Sequence, residues 1–131
     1  MNNRINISSG SPYESVVGYS RAVISGNSIE VSGTTASENG KVISPDSLYD
    51  QTVFILEKIK KVLEEAGSSM QQVTRTRMYV TDISRWKEAA KGHLLYFETI
   101  RPASTMVEVK ALIDPEMLIE IEVTAVSGTT F

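Results

Sequence analysis

Between Ser44 and Val80 the apolar pattern changes once from a helical to a strand-like period, and this switch restricts the fold more than any other feature of the chain. Ser44-Pro45-Asp46-Ser47 offers a helix start with proline at the first helical position, and Gly67 after Ala66 offers a stop. Between them Leu48, Ile55, Ile59, Val62, Leu63 and Ala66 fall on one stripe, while Glu57, Lys60, Lys61, Glu64 and Glu65 fall elsewhere. That is a long amphipathic helix with one face to bury. Residues 73–80 then alternate, with Thr74, Thr76, Met78 and Val80 on one side and Val73, Arg75, Arg77 and Tyr79 on the other. A one-sided helix followed by a one-sided strand predicts a helix layer packed on a sheet.

The remaining elements extend this layer. Arg21-Ala22-Val23-Ile24 and Ser28-Ile29-Glu30-Val31-Ser32-Gly33 are β-type runs separated by Ser25-Gly26-Asn27, hence a hairpin. A loop with Asn39-Gly40 follows. Asp82 or Ser84 can cap a second helix from Trp86 to about Thr99, with Trp86, Ala90, His93, Leu94 and Phe97 on its stripe and Pro102 as its stop. Two alternating strands close the chain: Val107, Val109 and Ala111 oppose Met106, Glu108 and Lys110, and Ile119, Ile121, Val123 and Ala125 oppose Glu120, Glu122 and Thr124. Asp114-Pro115-Glu116 turns between them. The order predicts an α+β fold, a mixed or antiparallel sheet with two helices on one face. Arg75, Arg77, Glu108, Lys110, Glu120 and Glu122 are expected on the other face. Such a face can simply be solvated. Val73 and Tyr79 share it, however, and Arg and Glu on neighbouring strands can pair across a subunit junction, which points to a homo-oligomer.

Composition narrows the function. At 131 residues with 41% hydrophobic and 22% charged residues, the chain fits one domain, residues 1–131, without linkers or repeats. It has no cysteine, which excludes disulfides, thiolate nucleophiles and zinc–thiolate sites and fits a cytoplasmic location. Neither an apolar leader nor a membrane-spanning segment is expected. Thirteen basic against sixteen acidic residues disfavour nucleic acid as a partner. His93 is the only histidine, so multi-histidine metal centres are excluded, no carboxylate cluster has metal-site spacing, and nothing calls for a cofactor.

Four stretches carry a resemblance: Val31-Ser32-Gly33-Thr34-Thr35, the strand Arg75 to Asp82, Arg101-Pro102-Ala103-Ser104-Thr105-Met106-Val107-Glu108-Val109, and Leu118-Ile119-Glu120-Ile121-Glu122. In this order and spacing they resemble the RidA/YjgF family over nearly the whole chain, from Tyr19 to Val126. The resemblance implies a chorismate-mutase-like fold, a homotrimer with its sheets facing inward, and three ligand clefts between neighbouring subunits. In the deaminase branch it implies an arginine that binds the carboxylate of an enamine or imine and a glutamate that positions water for ammonia release. Tyr19, Ser32 and Gly33 match the family's cleft-lining residues, and Glu120 matches the glutamate. The family's Pro-Ala-Arg-Ser segment reads Pro102-Ala103-Ser104-Thr105 here, with Thr105 and Met106 beside Ser104 as cleft candidates. A serine offers one neutral donor in place of a charged, two-pronged one, a loss of about 1.5 to 3 kcal/mol, or roughly ten- to a hundredfold in binding. Ordinary 2-aminoacrylate or 2-iminobutanoate deamination is therefore not expected.

Several residues remain open between two readings. Arg101 can replace the missing anchor or hold carbonyls at the end of the second helix. His93 can carry a proton or serve as a hydrogen-bonded core or interface residue. Glu120 can act as a general acid or base in a partly desolvated cleft, or pair with Arg75 or Arg77. The hydroxyls of Ser32, Ser104 and Thr105 suit ligand hydrogen bonds better than a nucleophilic triad. The leading expectation is a trimer that binds a small anionic or carbonyl-derived metabolite, with hydrolase or deaminase chemistry using Glu120 with His93 or Arg101. The alternative is a non-catalytic metabolite sensor or interaction protein. The ribonuclease or translation-inhibitor role attached to parts of the family suits the acidic balance poorly.

Overall fold

The computed structural model describes residues 4–127. Its elements are β1 (Arg4–Ile7), α1 (Pro12–Val17), β2 (Ala22–Ser25), β3 (Ser28–Thr35), β4 (Ser37–Glu38), β5 (Lys41–Val42), α2 (Leu48–Glu65), β6 (Val73–Val80), α3 (Trp86–Phe97), β7 (Ala103–Glu108) and β8 (Ile119–Val126). Six strands form one sheet in the order β1-β2-β3-β8-β6-β7. All neighbouring pairs are antiparallel except β6 and β7, whose parallel pairing follows from the crossover through α3.

The long helix begins one turn later than the proline signal suggests. Ser47 is the cap, accepting a hydrogen bond from the Asp50 N–H at 3.0 Å, while Ser44 adopts a positive φ of 49° in the preceding turn. Gly67, at φ 79°, ends the helix, with the Ser68 N–H returning to the Leu63 carbonyl. Leu48, Ile55, Leu56, Ile59 and Leu63 are buried against Ile119, Ile121, Val123 and Ala125 of β8 and Ile29 and Val31 of β3. Burying one such aliphatic side chain contributes roughly 1.5 to 3 kcal/mol. Helices α2 and α3 meet closely at Gly92, where a Cβ would lie 2.8 Å from Thr52 Cγ2.

Three departures from the sequence reading have local causes. The edge strand β1 and the six-residue helix α1 lack a clear apolar period, because β1 buries only Ile7 and α1 only Glu14. The loop at Asn39-Gly40 is a small β4–β5 hairpin, with both residues at positive φ. Val73 and Glu108 do not lie on the open, charged face of the sheet. A register shift between Val73 and Arg75 turns Val73 toward the core opposite Ala125, and Glu108 is paired with Val80 on the helix side. There its carboxylate accepts the Ile83 N–H at 3.0 Å, and Lys110 lies beyond the end of β7. Arg75, Arg77, Tyr79, Glu120 and Glu122 do share the open face. Among the described residues, no helix is long and apolar enough to cross a membrane.

Candidate functional site

Most of the expected site residues fall into two groups on opposite faces of the sheet. The first is built around a bulge in β3, where the register to β8 shifts between Val31 and Thr34 and releases Ser32 and Gly33 from regular pairing. Arg21 holds this bulge from beneath. The residue is only 7% exposed, and its guanidinium donates to the Gly33 carbonyl at 2.9 Å, to Thr34 Oγ1 at 2.8 Å and, at 3.3 Å, to the Tyr19 hydroxyl. Ser32 Oγ is committed to the Ser20 carbonyl at 2.6 Å. Glu14 supplies a buried counter-charge at 4.0 Å from Arg21 Nε. Burial alone would push the Glu14 carboxyl up, but hydrogen bonds from Ser9 and Ser8, together with Arg21, hold it below the ordinary range.

Glu120 extends over Gly33. A Cβ on residue 33 would lie 2.0 Å from Glu120 Oε2, so the glycine is the space in which this carboxylate rests. Burial pushes the Glu120 carboxyl above its ordinary value, the Glu122 charge adds to the rise, and Arg21 opposes it. The ion-pair reading of Glu120 is not realised within the chain. Arg77 lies 3.7 Å from Glu122, which also accepts the Tyr79 hydroxyl at 2.8 Å, and Arg75 donates to Thr105 Oγ1 at 3.1 Å. No hydrogen bond to Glu120 comes from the side chains or backbone of the described residues outside its strand pairing. A carboxylate with a raised pKa and free lone pairs can receive a proton from water or from a ligand.

The second group lies between α3 and β7. Trp86, Ala90, His93 and Leu94 of α3 face Met78, Ser104 and Met106 of the sheet around an open pocket of about 310 Å³. Thr76, wholly buried, links the two sides: its hydroxyl donates to Ser104 Oγ at 2.8 Å and lies 2.9 Å from His93 Nε2. The His93 ring tilts against Phe97 with centroids 4.6 Å apart, and burial lowers its pKa, so the imidazole is neutral near pH 7. The face of α3 predicted to be buried is thus only partly so. Ala89, Gly92 and Phe97 pack inward, whereas Trp86 and Leu94 are 48% and 54% exposed.

Tyr19, Ser32, Gly33 and Glu120 therefore gather at the bulge, and His93, Ser104 and Met106 at the α3–β7 pocket. Thr105 joins neither group, since it points to the open face beneath Arg75. Arg101 sits in the left-handed region, at φ 54°, and its Nε donates to the Glu98 carbonyl at 2.9 Å, holding the end of α3. Glu120 is aligned with Tyr79 and Val107, and Ser104 with Thr76 and Val123, on opposite faces. Two strand spacings and a three-residue offset separate them by roughly 10 Å in each direction within the sheet. One chain cannot close both groups on one ligand. Arg21 and Thr76 were not singled out from the sequence. The available signals were an arginine at the start of an apolar strand and a threonine on the apolar side of β6, each of which must find hydrogen-bond partners when buried.

A mixed sheet with two long helices on one face and a bulge-held carboxylate at its centre defines a small α+β protein of the chorismate-mutase-like class. Residues 10–127 match the family model described as Endoribonuclease L-PSP. A RutC family protein of Pyrococcus abyssi is 35% identical over 82% of this chain and 84% of its own length. An uncharacterized protein of Streptomyces coelicolor is 30% identical over 93% of this chain and 91% of its own. Among solved structures, a YjgF-family protein of Mycobacterium tuberculosis superposes with a TM-score of 0.86 at 48% identity, covering 95% of this chain and 99% of the other. The structure of a putative endoribonuclease from Thermotoga maritima gives a TM-score of 0.79 at 29% identity, covering 93% of this chain and 91% of the other. The chain belongs to the RidA/YjgF family.

Proposed function

We propose that this protein is a small-molecule-binding homotrimer whose ligand cleft is completed between copies, with the bulge group of one chain facing the α3–β7 group of its neighbour. Family membership supports a small-molecule-binding, hydrolase- or deaminase-like role in general. The observation that carries the finer reading is the separation of Glu120 and Ser104 onto opposite faces of one sheet, which only a second copy can bridge. Glu120 serves as the proton-transfer group, activating water toward a carbonyl-derived or imine carbon, while Tyr19 and the bulge backbone orient the ligand. With Ser104 in place of an arginine, the cleft has no charged two-pronged donor for a substrate carboxylate. The protein is therefore not an ordinary 2-aminoacrylate deaminase.

The test is ammonia release from freshly generated 2-aminoacrylate by the wild type, Ser104→Arg and the double variant Ser104→Arg/Glu120→Gln. The wild type should be nearly inactive, Ser104→Arg should gain at least about tenfold from the restored charged pair, and Glu120→Gln should remove the gain. A fully active wild type would overturn the exclusion of ordinary deamination. A Ser104→Arg protein that is folded, trimeric and inactive would favour the alternative of a non-catalytic metabolite sensor, detected by ligand-induced thermal stabilisation without turnover.

A further inference from the structure

The α3–β7 pocket has a composition of its own. Its walls are an indole, two thioethers and the Leu94 side chain, which adapt to varied apolar shapes, and none of the described residues that this chain contributes to the lining is ionised. Among the described lining residues the polar side-chain groups are the Ser104 hydroxyl, the His93 ring and the Trp86 indole N–H. Behind Ser104 runs a chain of two hydrogen bonds to Thr76 Oγ1 and His93 Nε2, of 2.8 and 2.9 Å. Thr76 has a single hydroxyl hydrogen, and it is given to Ser104. With that hydrogen on Ser104, the bond from His93 to Thr76 requires the Nε2–H tautomer, and the Ser104 hydrogen takes no part in this chain of bonds. The result is a neutral hydroxyl donor at an open, largely apolar pocket. A carboxylate resting on these walls meets no cationic partner from them, whereas a carbonyl oxygen needs only one neutral donor. A plain contact between copies would not need the relay, since valine in place of Thr76 would pack as well.

Building on the small-molecule reading above, we infer that this pocket takes an uncharged, carbonyl-bearing apolar group, such as an amide, ketone or ester, held by the Ser104 hydroxyl. The ligand class is thereby set apart from free amino- or imino-acid carboxylates. Thr76 and His93 act as positioning residues that keep the Ser104 hydrogen free to donate.

Trp86 is the only tryptophan of the chain and lines the pocket, so its fluorescence reports occupancy directly. Phenylacetamide and phenylacetate have nearly the same shape and differ in charge. Titrated into the full-length protein at about pH 7.5, where His93 is neutral, phenylacetamide should shift Trp86 emission and bind at least about tenfold more tightly than phenylacetate. Ser104→Ala should weaken phenylacetamide about five- to tenfold and leave phenylacetate unchanged, and Thr76→Val should act in the same direction by less. The ¹⁵N resonances of His93 should show the Nε2–H tautomer, and phenylacetamide should strengthen that preference. Phenylacetate binding as tightly as phenylacetamide would overturn the uncharged-ligand inference and leave the shared cleft standing. Silence of Trp86 to both probes at about 10 mM would overturn it as well. The shared-cleft reading fails on different evidence, a monomeric protein or a Glu120→Gln change without effect on any turnover found.

Discussion

Gly33 and Arg21 illustrate how single residues hold the site. Gly33 has an ordinary φ, so alanine is acceptable to the backbone, and the atoms it meets belong to the flexible Glu120 side chain. Gly33→Ala should therefore cost at most about 1 kcal/mol by thermal denaturation, yet displace the carboxylate and reduce turnover as far as Glu120→Gln does. Arg21→Met should behave in the opposite way. It leaves the buried Glu14 without its cation and the Gly33 carbonyl without its donor, and should lower stability by about 2 to 4 kcal/mol in denaturant titration. His93 gives a pH signature. Burial holds its folded pKa below 6.5, so an unfolded chain takes up a proton at a pH where the folded one stays neutral. Its stabilising contribution is complete above about pH 6.5 and is lost as pH falls through the lowered value. Glu120, raised above 4.5, acts in the reverse sense: its contribution is complete below that pH and is lost as pH rises through the raised value. The difference between wild type and His93→Gln in stability against pH should isolate the histidine. At this scale the sequence disclosed which residues carry polar chemistry but left Arg101, His93 and Glu120 each between two roles. Their partners in the fold, the Glu98 carbonyl for Arg101 and Thr76 for His93, depend on tertiary structure.

Among the elements, α2 and β8 were legible because each has one continuous apolar face, and period alone assigns such segments. The α3 helix was legible as a helix but not in its orientation. Its strongest apolar stripe includes Trp86 and Leu94, which line an open pocket, while the residues packed inward include the small Ala89 and Gly92. The reason is the close approach to α2, which admits little beyond a hydrogen at Gly92. Gly92→Ala gains up to about 1 kcal/mol of helix propensity but drives a methyl group into Thr52, whose rotamer is fixed by its bond to the Leu48 carbonyl. A net loss of about 1 to 2 kcal/mol is expected, and Thr52→Ala in the same chain should recover most of it, a coupling that a double-mutant cycle measures. The bulge in β3 was also hidden. Nothing in Ser32-Gly33 by itself distinguishes a bulge from a plain strand, and the interruption becomes visible only against the register of β8.

For the whole molecule, the open sheet face and the exposed side of α3 are surfaces that a lone chain leaves uncovered. Val107, 42% exposed on the open face beside Tyr79, offers a direct probe. The wild type should sediment at about three times the 14.4 kDa of one chain, and Val107→Asp should shift it toward the monomer without unfolding it. A wild-type monomer would remove the basis for a cleft shared between copies. The sequence by itself determined the layer architecture, the charged strands and the family, because apolar period and ordered motifs are local properties of the chain. Tertiary structure alone decided that Glu120 and Ser104 lie on opposite faces, that Arg21 holds the bulge, and that Thr76 joins Ser104 to His93. These depend on strand register and helix packing, where a shift of one residue turns every side chain to the other side of the sheet.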